Sequence, residues 1–257
     1  MNTQNNKTHK KTTSLNHKHS YRKLRRWVLP AVLGAALSTL AFLPTFAEEV
    51  PSAPPAGNPP MSAPNGPAPK AEANPNTFTG TTVVTENKSI AHELMSNTTS
   101  DQNAFIVKDK AVVNIENSVF DKTGNTTSDD NSNFRGQNAV ILGIDGSQIN
   151  IKGSNITSNS NGSNAVFATG EGSVINVENS NIHTKSDSSR GLDATYKGTV
   201  NGKNLTITTE GAHSATLATD RGEGTITAEA AKLTTSGEGS PIIYSPGNIT
   251  ADSILYL

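Results

Sequence analysis

Ile175-Asn176-Val177-Glu178-Asn179-Ser180-Asn181-Ile182-His183-Thr184 is the stretch that decides the fold. Apolar Ile175 and Val177 alternate with polar neighbours, the two-residue period of a strand with one face in and one out. An apolar residue returns at Ile182, after polar residues that favour a bend over a helix. Working outward, the same pattern recurs. Upstream copies begin at Val113 and Ile149, with Phe120 and Ile156 as the returning residues. Downstream copies begin at Val200, Ile226 and Ile249 and reach Leu205-Thr206-Ile207, Leu233 and Tyr256. A weaker first copy is read from Val83, with Glu86, Asn87 and Ile90. Successive first positions, from Val83 to Ile249, are 30, 36, 26, 25, 26 and 23 residues apart. A period of this size predicts a solenoid.

A third short apolar run precedes several copies: Ala139-Val140-Ile141-Leu142, Ala165-Val166-Phe167, Ala215-Thr216-Leu217 and Pro241-Ile242-Ile243. Three short strands in about 25 residues make one triangular rung of a parallel β-helix, each rung pairing with the next about 4.8 Å away. The expected fold is all-β, with about six or seven rungs over residues 77–257.

Stacking turns equal positions into ladders. The fourth position reads Glu86, Glu116, Lys152, Glu178, Lys203, Glu229, Asp252, and its sign alternates from Glu116 to Glu229. Facing opposite charges stabilise a sheet by roughly 0.2–1 kcal/mol per pair, so this row reads as a solvated, charge-compensated face. The second position reads Asn114, Asn150, Asn176, Asn201, Thr227, Thr250, and the tenth reads Lys122, Ser158, Thr184, Thr209, Thr235. Structural support accounts for all three rows. Stacked Thr rows can order water, but the tenth-position row is short and lacks a regular Thr-x-Thr pattern.

On these repeats, region 77–257 resembles the right-handed parallel β-helix proteins of the pectin-lyase-like superfamily. Gly222-Glu223-Gly224-Thr225-Ile226-Thr227, followed by Thr234-Thr235-Ser236-Gly237-Glu238-Gly239-Ser240-Pro241-Ile242-Ile243-Tyr244-Ser245, looks most like bacterial adhesin-like surface members of that group. The resemblance implies a right-handed solenoid and a carbohydrate-binding surface protein. One fold hosts many activities, so it speaks to fold more than to function.

The first 47 residues read as a secretory signal peptide. Eight basic residues and no acidic one precede an apolar run from Trp27 to Leu43, with Thr45-Phe46-Ala47 as the cleavage site. An uncleaved anchor is the competing reading, although Pro30, Gly34 and Ser38 interrupt a run near the lower length limit for spanning. Residues 48–76 hold nine of the thirteen prolines and read as an extended linker. After cleavage, 13 basic and 22 acidic residues leave a net charge of 13 − 22 = −9, which argues against nucleic acid as a partner. The chain has no Cys, so its stability comes from stacked strands rather than disulfides. The expected location is secreted, at the cell surface, with no membrane association once the signal is removed.

Within the solenoid, Ile90-Ala91-His92-Glu93-Leu94-Met95 reads as a helical turn covering the first rung, since an open strand edge invites aggregation. The longest interruption, 121–138, is polar and reads as a surface loop insertion. Loops on one side of a β-helix build binding grooves. Tyr256-Leu257 ends one strand into a new copy, so the expectation is a C-terminal continuation or a capping partner.

Two functions compete. A surface interaction module would bind glycans or host-surface molecules weakly and multivalently, without a cofactor. Its candidate ligand-binding residues are Asp129, Asp130, Phe134, Arg135, Tyr196 and Tyr244. A polysaccharide lyase or hydrolase is the alternative, with acidic polysaccharide as substrate. Resemblance to the pectate type implies acidic residues holding Ca²⁺ beside an Arg, and the best such set here is Arg190, Asp193 and Asp220. The alternating Lys152 and Lys203 disfavour a cation on the fourth-position row. There is no metal-ligand spacing, no phosphate loop and no convincing carboxylate pair for hydrolysis.

Overall fold

The computed structural model describes residues 73–257. The expected signal peptide, and the linker as far as residue 72, lie outside the described residues. Twenty-one strands form three parallel seven-stranded sheets. Sheet A contains β1 (Gly80–Val84), β4 (Asn103–Val107), β7 (Ile141–Gly143), β10 (Val166–Thr169), β13 (Leu192–Thr195), β16 (Leu217–Thr219) and β19 (Ile243–Tyr244). Sheet B contains β2 (Lys88–Ala91), β5 (Val112–Glu116), β8 (Gln148–Lys152), β11 (Val174–Glu178), β14 (Thr199–Lys203), β17 (Thr225–Glu229) and β20 (Asn248–Asp252). Sheet C contains β3 (Leu94–Asn97), β6 (Val119–Lys122), β9 (Asn155–Ser158), β12 (Asn181–Thr184), β15 (Thr206–Thr209), β18 (Lys232–Thr235) and β21 (Leu255–Tyr256). The chain visits A, B and C in turn, making a parallel β-solenoid of seven rungs.

Alternation places one residue in two inside. Ile149, Ile175, Val200 and Ile226 from sheet B meet Ile156, Ile182, Ile207 and Leu233 from sheet C in one continuous buried core. Sheet A adds Phe105, Ile141, Val166, Leu192 and Leu217. Phe105 and Phe120 meet edge to face with ring centroids 5.7 Å apart. The chain turns from sheet B to sheet C through a single left-handed residue: His92, Asn117, Gly153, Asn179, Asn204, Ala230 and Ser253 all have positive φ. Asn and Gly tolerate that conformation best, which explains why they punctuate the repeat.

Two expectations are corrected. Residues 90–95 form no helical turn: Ile90 closes toward the core in β2, His92 makes the left-handed corner and Met95 points inward from β3. The first copy starts at Lys88, not Val83, because Lys88 pairs with Val113 and Ile90 with Ile115. Val83 instead lies in sheet A opposite Ile106, and Ala91 rather than Glu86 stands beside Glu116. The tenth-position row lies inside the solenoid: Lys122, Ser158, Thr184 and Thr209 are fully buried.

The 121–138 interruption is also more than a loop. It contains a seven-residue helix, α1 (Asp129–Arg135), capped by the Ser128 side chain and closed by Gly136 at φ 79°. Asp129 and Asp130 in its first turn and Arg135 in its last suit the helix dipole. A helix this short is marginal alone, so its stability comes from what it packs against.

Candidate functional site

Two surfaces stand apart from the repetitive scaffold. The first is the outer face of sheet A beneath α1. There the outward row reads Ile106, Leu142, Phe167, Asp193, Ala218 and Tyr244 in register. Ile106, Leu142 and Phe167 form a second apolar cluster outside the lumen, with Phe78 against it. Gly136 sits so close that a Cβ there would stand 2.5 Å from Leu142 Cδ1 and 2.9 Å from Phe167 Cδ1.

The helix is tied down through its C-terminal carbonyls, which have no partner within the helix. Asn164 Nδ2 donates to the Ser132 carbonyl at 3.1 Å, Thr195 Oγ1 to that of Phe134 at 3.0 Å, and Asn103 Nδ2 to that of Gly136 at 2.8 Å. These donors come from three different rungs. Two cation–π contacts reinforce them: Arg135 lies 4.1 Å over the Tyr196 ring, and Arg221 lies 3.8 Å over the Phe134 ring.

At the centre, Arg190 Nη1 donates to Asn133 Oδ1 at 2.9 Å and to Asp193 Oδ2 at 3.4 Å, while its Nη2 is 3.9 Å from Asp220. Asp193 is fully buried and its Oδ1 has no hydrogen-bond partner. Burial pushes the Asp193 carboxyl up to about 7; Arg190 opposes this and Asp220 adds to it.

The residues proposed from sequence therefore fall as follows. Arg190, Asp193 and Asp220 converge, but under α1 rather than in an open groove. Phe134, Arg135 and Tyr196 also come together, as parts of the helix anchor. Asp129 and Asp130 are exposed on the first turn of α1. Tyr244 is partly exposed two rungs from Asp193 in the same row. Among the described residues, no group of three or more His, Cys, Asp or Glu is placed to hold a metal ion. Sequence reasoning missed α1 itself. Its signal was present: Ser128-Asp129-Asp130 is a helix start and Arg135-Gly136 a helix stop.

The second surface is the outer face of sheet B. The asparagine row forms a hydrogen-bonded ladder: Asn150 donates to Asn114 at 2.9 Å, Asn176 to Asn150 at 2.8 Å, Asn201 to Asn176 at 2.9 Å and Thr227 to Asn201 at 2.6 Å. Two residues further along each strand runs the charge ladder Glu116, Lys152, Glu178, Lys203, Glu229, Asp252, in register and exposed. Lys203 and Glu229 approach to 3.2 Å. A shallow trough runs between the ladders over six rungs, about 24 Å long at about 4.8 Å per rung. It carries four carboxylates and two ammonium groups, alternating in sign from Glu116 to Glu229 and ending on the neighbouring carboxylates Glu229 and Asp252, so it presents no field of one sign over its central rungs.

Comparison of the chain with protein-family models, with curated protein sequences and with solved structures gave no match.

Proposed function

We propose that this chain is a secreted, cell-surface interaction module of the adhesin type, and that the trough on sheet B is its binding face. The observation that carries the reading is a pair of ladders running side by side on sheet B, a half-buried hydrogen-bonded polar one from Asn114 to Thr227 and an exposed charged one over six rungs. Repetition at one spacing suits an extended partner that makes many weak contacts, each adding to the others through effective concentration. Linear glycans and polymers on a host surface have that form. Alternating charge favours an uncharged polyhydroxyl chain over a polyanion, because each carboxylate of the central rungs repels what its lysine neighbours attract.

The lyase reading on acidic polysaccharide has one favourable observation, the meeting of Arg190, Asp193 and Asp220. Against it, a catalytic group must reach the reacting atom, and Asp193 is fully buried in a cluster that α1 closes over.

The test is binding of the purified protein to an array of neutral and acidic linear glycans, with and without Ca²⁺. It is repeated with Asn150→Trp, which blocks the trough from the solvent side. Binding to neutral glycans that Asn150→Trp abolishes supports the proposal. Binding unchanged in the variant removes the trough from consideration. Unsaturated products released from polyuronates in the presence of Ca²⁺ would establish the lyase instead.

A further inference from the structure

Asp193 stands out among the carboxylates because the reading above gives it nothing to do. It is fully buried, one oxygen is unpartnered, and its one guanidinium is shared three ways. Arg190 spans from Asn133 on α1 to Asp193 on β13 and Asp220 after β16. With both carboxylates ionised, one positive charge faces two negative ones, and Asp193 is out of reach of water while Arg190 and Asp220 are only partly exposed. A proton on one carboxylate balances the cluster, and the more deeply buried of the two is the one that takes it. We propose that α1 is a proton-coupled brace, closed over Asp193 in its neutral form and loosened when Asp193 ionises.

The charged groups packed around the site are few. Arg190 and Asp220 touch the cluster directly. Arg221 is occupied on the Phe134 ring and Arg135 on the Tyr196 ring. Asp129 and Asp130 are exposed at the far end of α1. From sheet A, the neighbours of Asp193 in register are Phe167 and Ala218, which carry no charge. The backbone N–H of Ala194 also favours the ionised form, as Arg190 does, but burial outweighs both and raises Asp193 to about 7.

The direction follows by linkage. In the closed state Asp193 binds its proton more tightly than in an opened state, where water reaches it and its affinity is ordinary. Closure is therefore favoured at low pH and is lost as pH rises from the ordinary carboxylate value of about 4 toward 7. Opening α1 uncovers Leu142 and Phe167, which its C-cap Gly136 approaches, so the same step exposes an apolar surface.

The test is amide hydrogen exchange over residues 129–135 between about pH 5 and pH 8, corrected for intrinsic exchange. One coupled proton makes α1 opening rise about tenfold per pH unit below about 7 and level off above. Asp193→Asn, neutral at every pH, should hold α1 closed and flat across the range. Asp220→Asn removes the second negative charge and should move the transition to lower pH. Should Asp193→Asn not fold, the carboxyl ¹³C shift of Asp193 in the unaltered protein decides the matter. A midpoint near 7 supports the brace, and one near 4 overturns it. Exchange of α1 that ignores pH, or that keeps its pH dependence in Asp193→Asn, also overturns it.

Discussion

Arg190 Nη1 and Asn133 Oδ1 meet at 2.9 Å across 57 residues of chain. This contact joins the inserted helix to a turn two rungs further along the solenoid. Removing the side chain in Arg190→Ala frees the helix and strands Asp193 without its guanidinium. Breaking a buried pair from one side costs about 3–5 kcal/mol. The loss should appear in urea unfolding above about pH 7, where Asp193 is ionised, and shrink at pH 5, where it carries a proton.

Gly202 and Leu205 exchange volume within one rung. Gly202 pairs with Val177, but a Cβ on it would stand 2.7 Å from Leu205 Cδ1 and 3.1 Å from Leu192 Cδ1. The preceding rung solves the same corner with Val177 and Ser180. Gly202→Val alone should cost about 1–3 kcal/mol through overpacking, and Leu205→Ser alone about 2–5 kcal/mol through a cavity. The double variant restores the Val and Ser arrangement and should recover most of the loss, a coupling that a double-mutant cycle measures.

Ala230 takes a left-handed corner at φ 53°, where the rungs before it use Asn179 and Asn204. Those two asparagines are bonded side chain to side chain at 2.6 Å. Ala230→Asn relieves the strain and extends that ladder by one rung. A gain of about 1 kcal/mol is expected, read as a Tm increase of about 2–4 °C in thermal unfolding.

Lys122 is a buried cation inside the solenoid, where its Nζ donates to the carbonyls of Thr99 at 3.0 Å, Gly124 at 2.9 Å and Thr123. Burial lowers its pKa to about 8, outweighing the opposing pull of Asp101. The unfolded chain holds that proton up to about 10.5, so it binds more protons than the folded chain between these values. Stability should therefore rise with pH from about 8 to 10.5, by up to about 3 kcal/mol. Denaturant unfolding across this range measures it, and Lys122→Met should remove the slope while taking the Lys122 donor from the Thr99 and Thr123 carbonyls.

Much of the scaffold was readable because each rung repeats the same local rules. Ile175 and Val177 alternate, Ile182 returns after a corner, and Asn179 supplies the left-handed bend. Repeated every 25 or so residues, these rules make Asn176 the neighbour of Asn150 and Lys203 that of Glu178. The ladders therefore followed from counting. The start of the first copy did not, because Val83 imitates the pattern while only pairing with Ile106 reveals that it belongs to sheet A. The burial of Lys122 was not legible for a related reason. Periodicity shows that two rows differ in facing, and a polar row inside a lumen reads like a polar row outside.

By itself, the sequence determined the solenoid, its rungs and the order of the side chains along its faces, since period and alternation are local properties that stacking multiplies. Only the tertiary structure decided that residues 129–135 would be a helix, where that helix would lie, and that Arg190, Asp193 and Asp220 would meet beneath it. A seven-residue helix draws its stability from carbonyl partners on Asn103, Asn164 and Thr195, up to 61 residues away in the chain. Contacts at that separation carry no periodic signal.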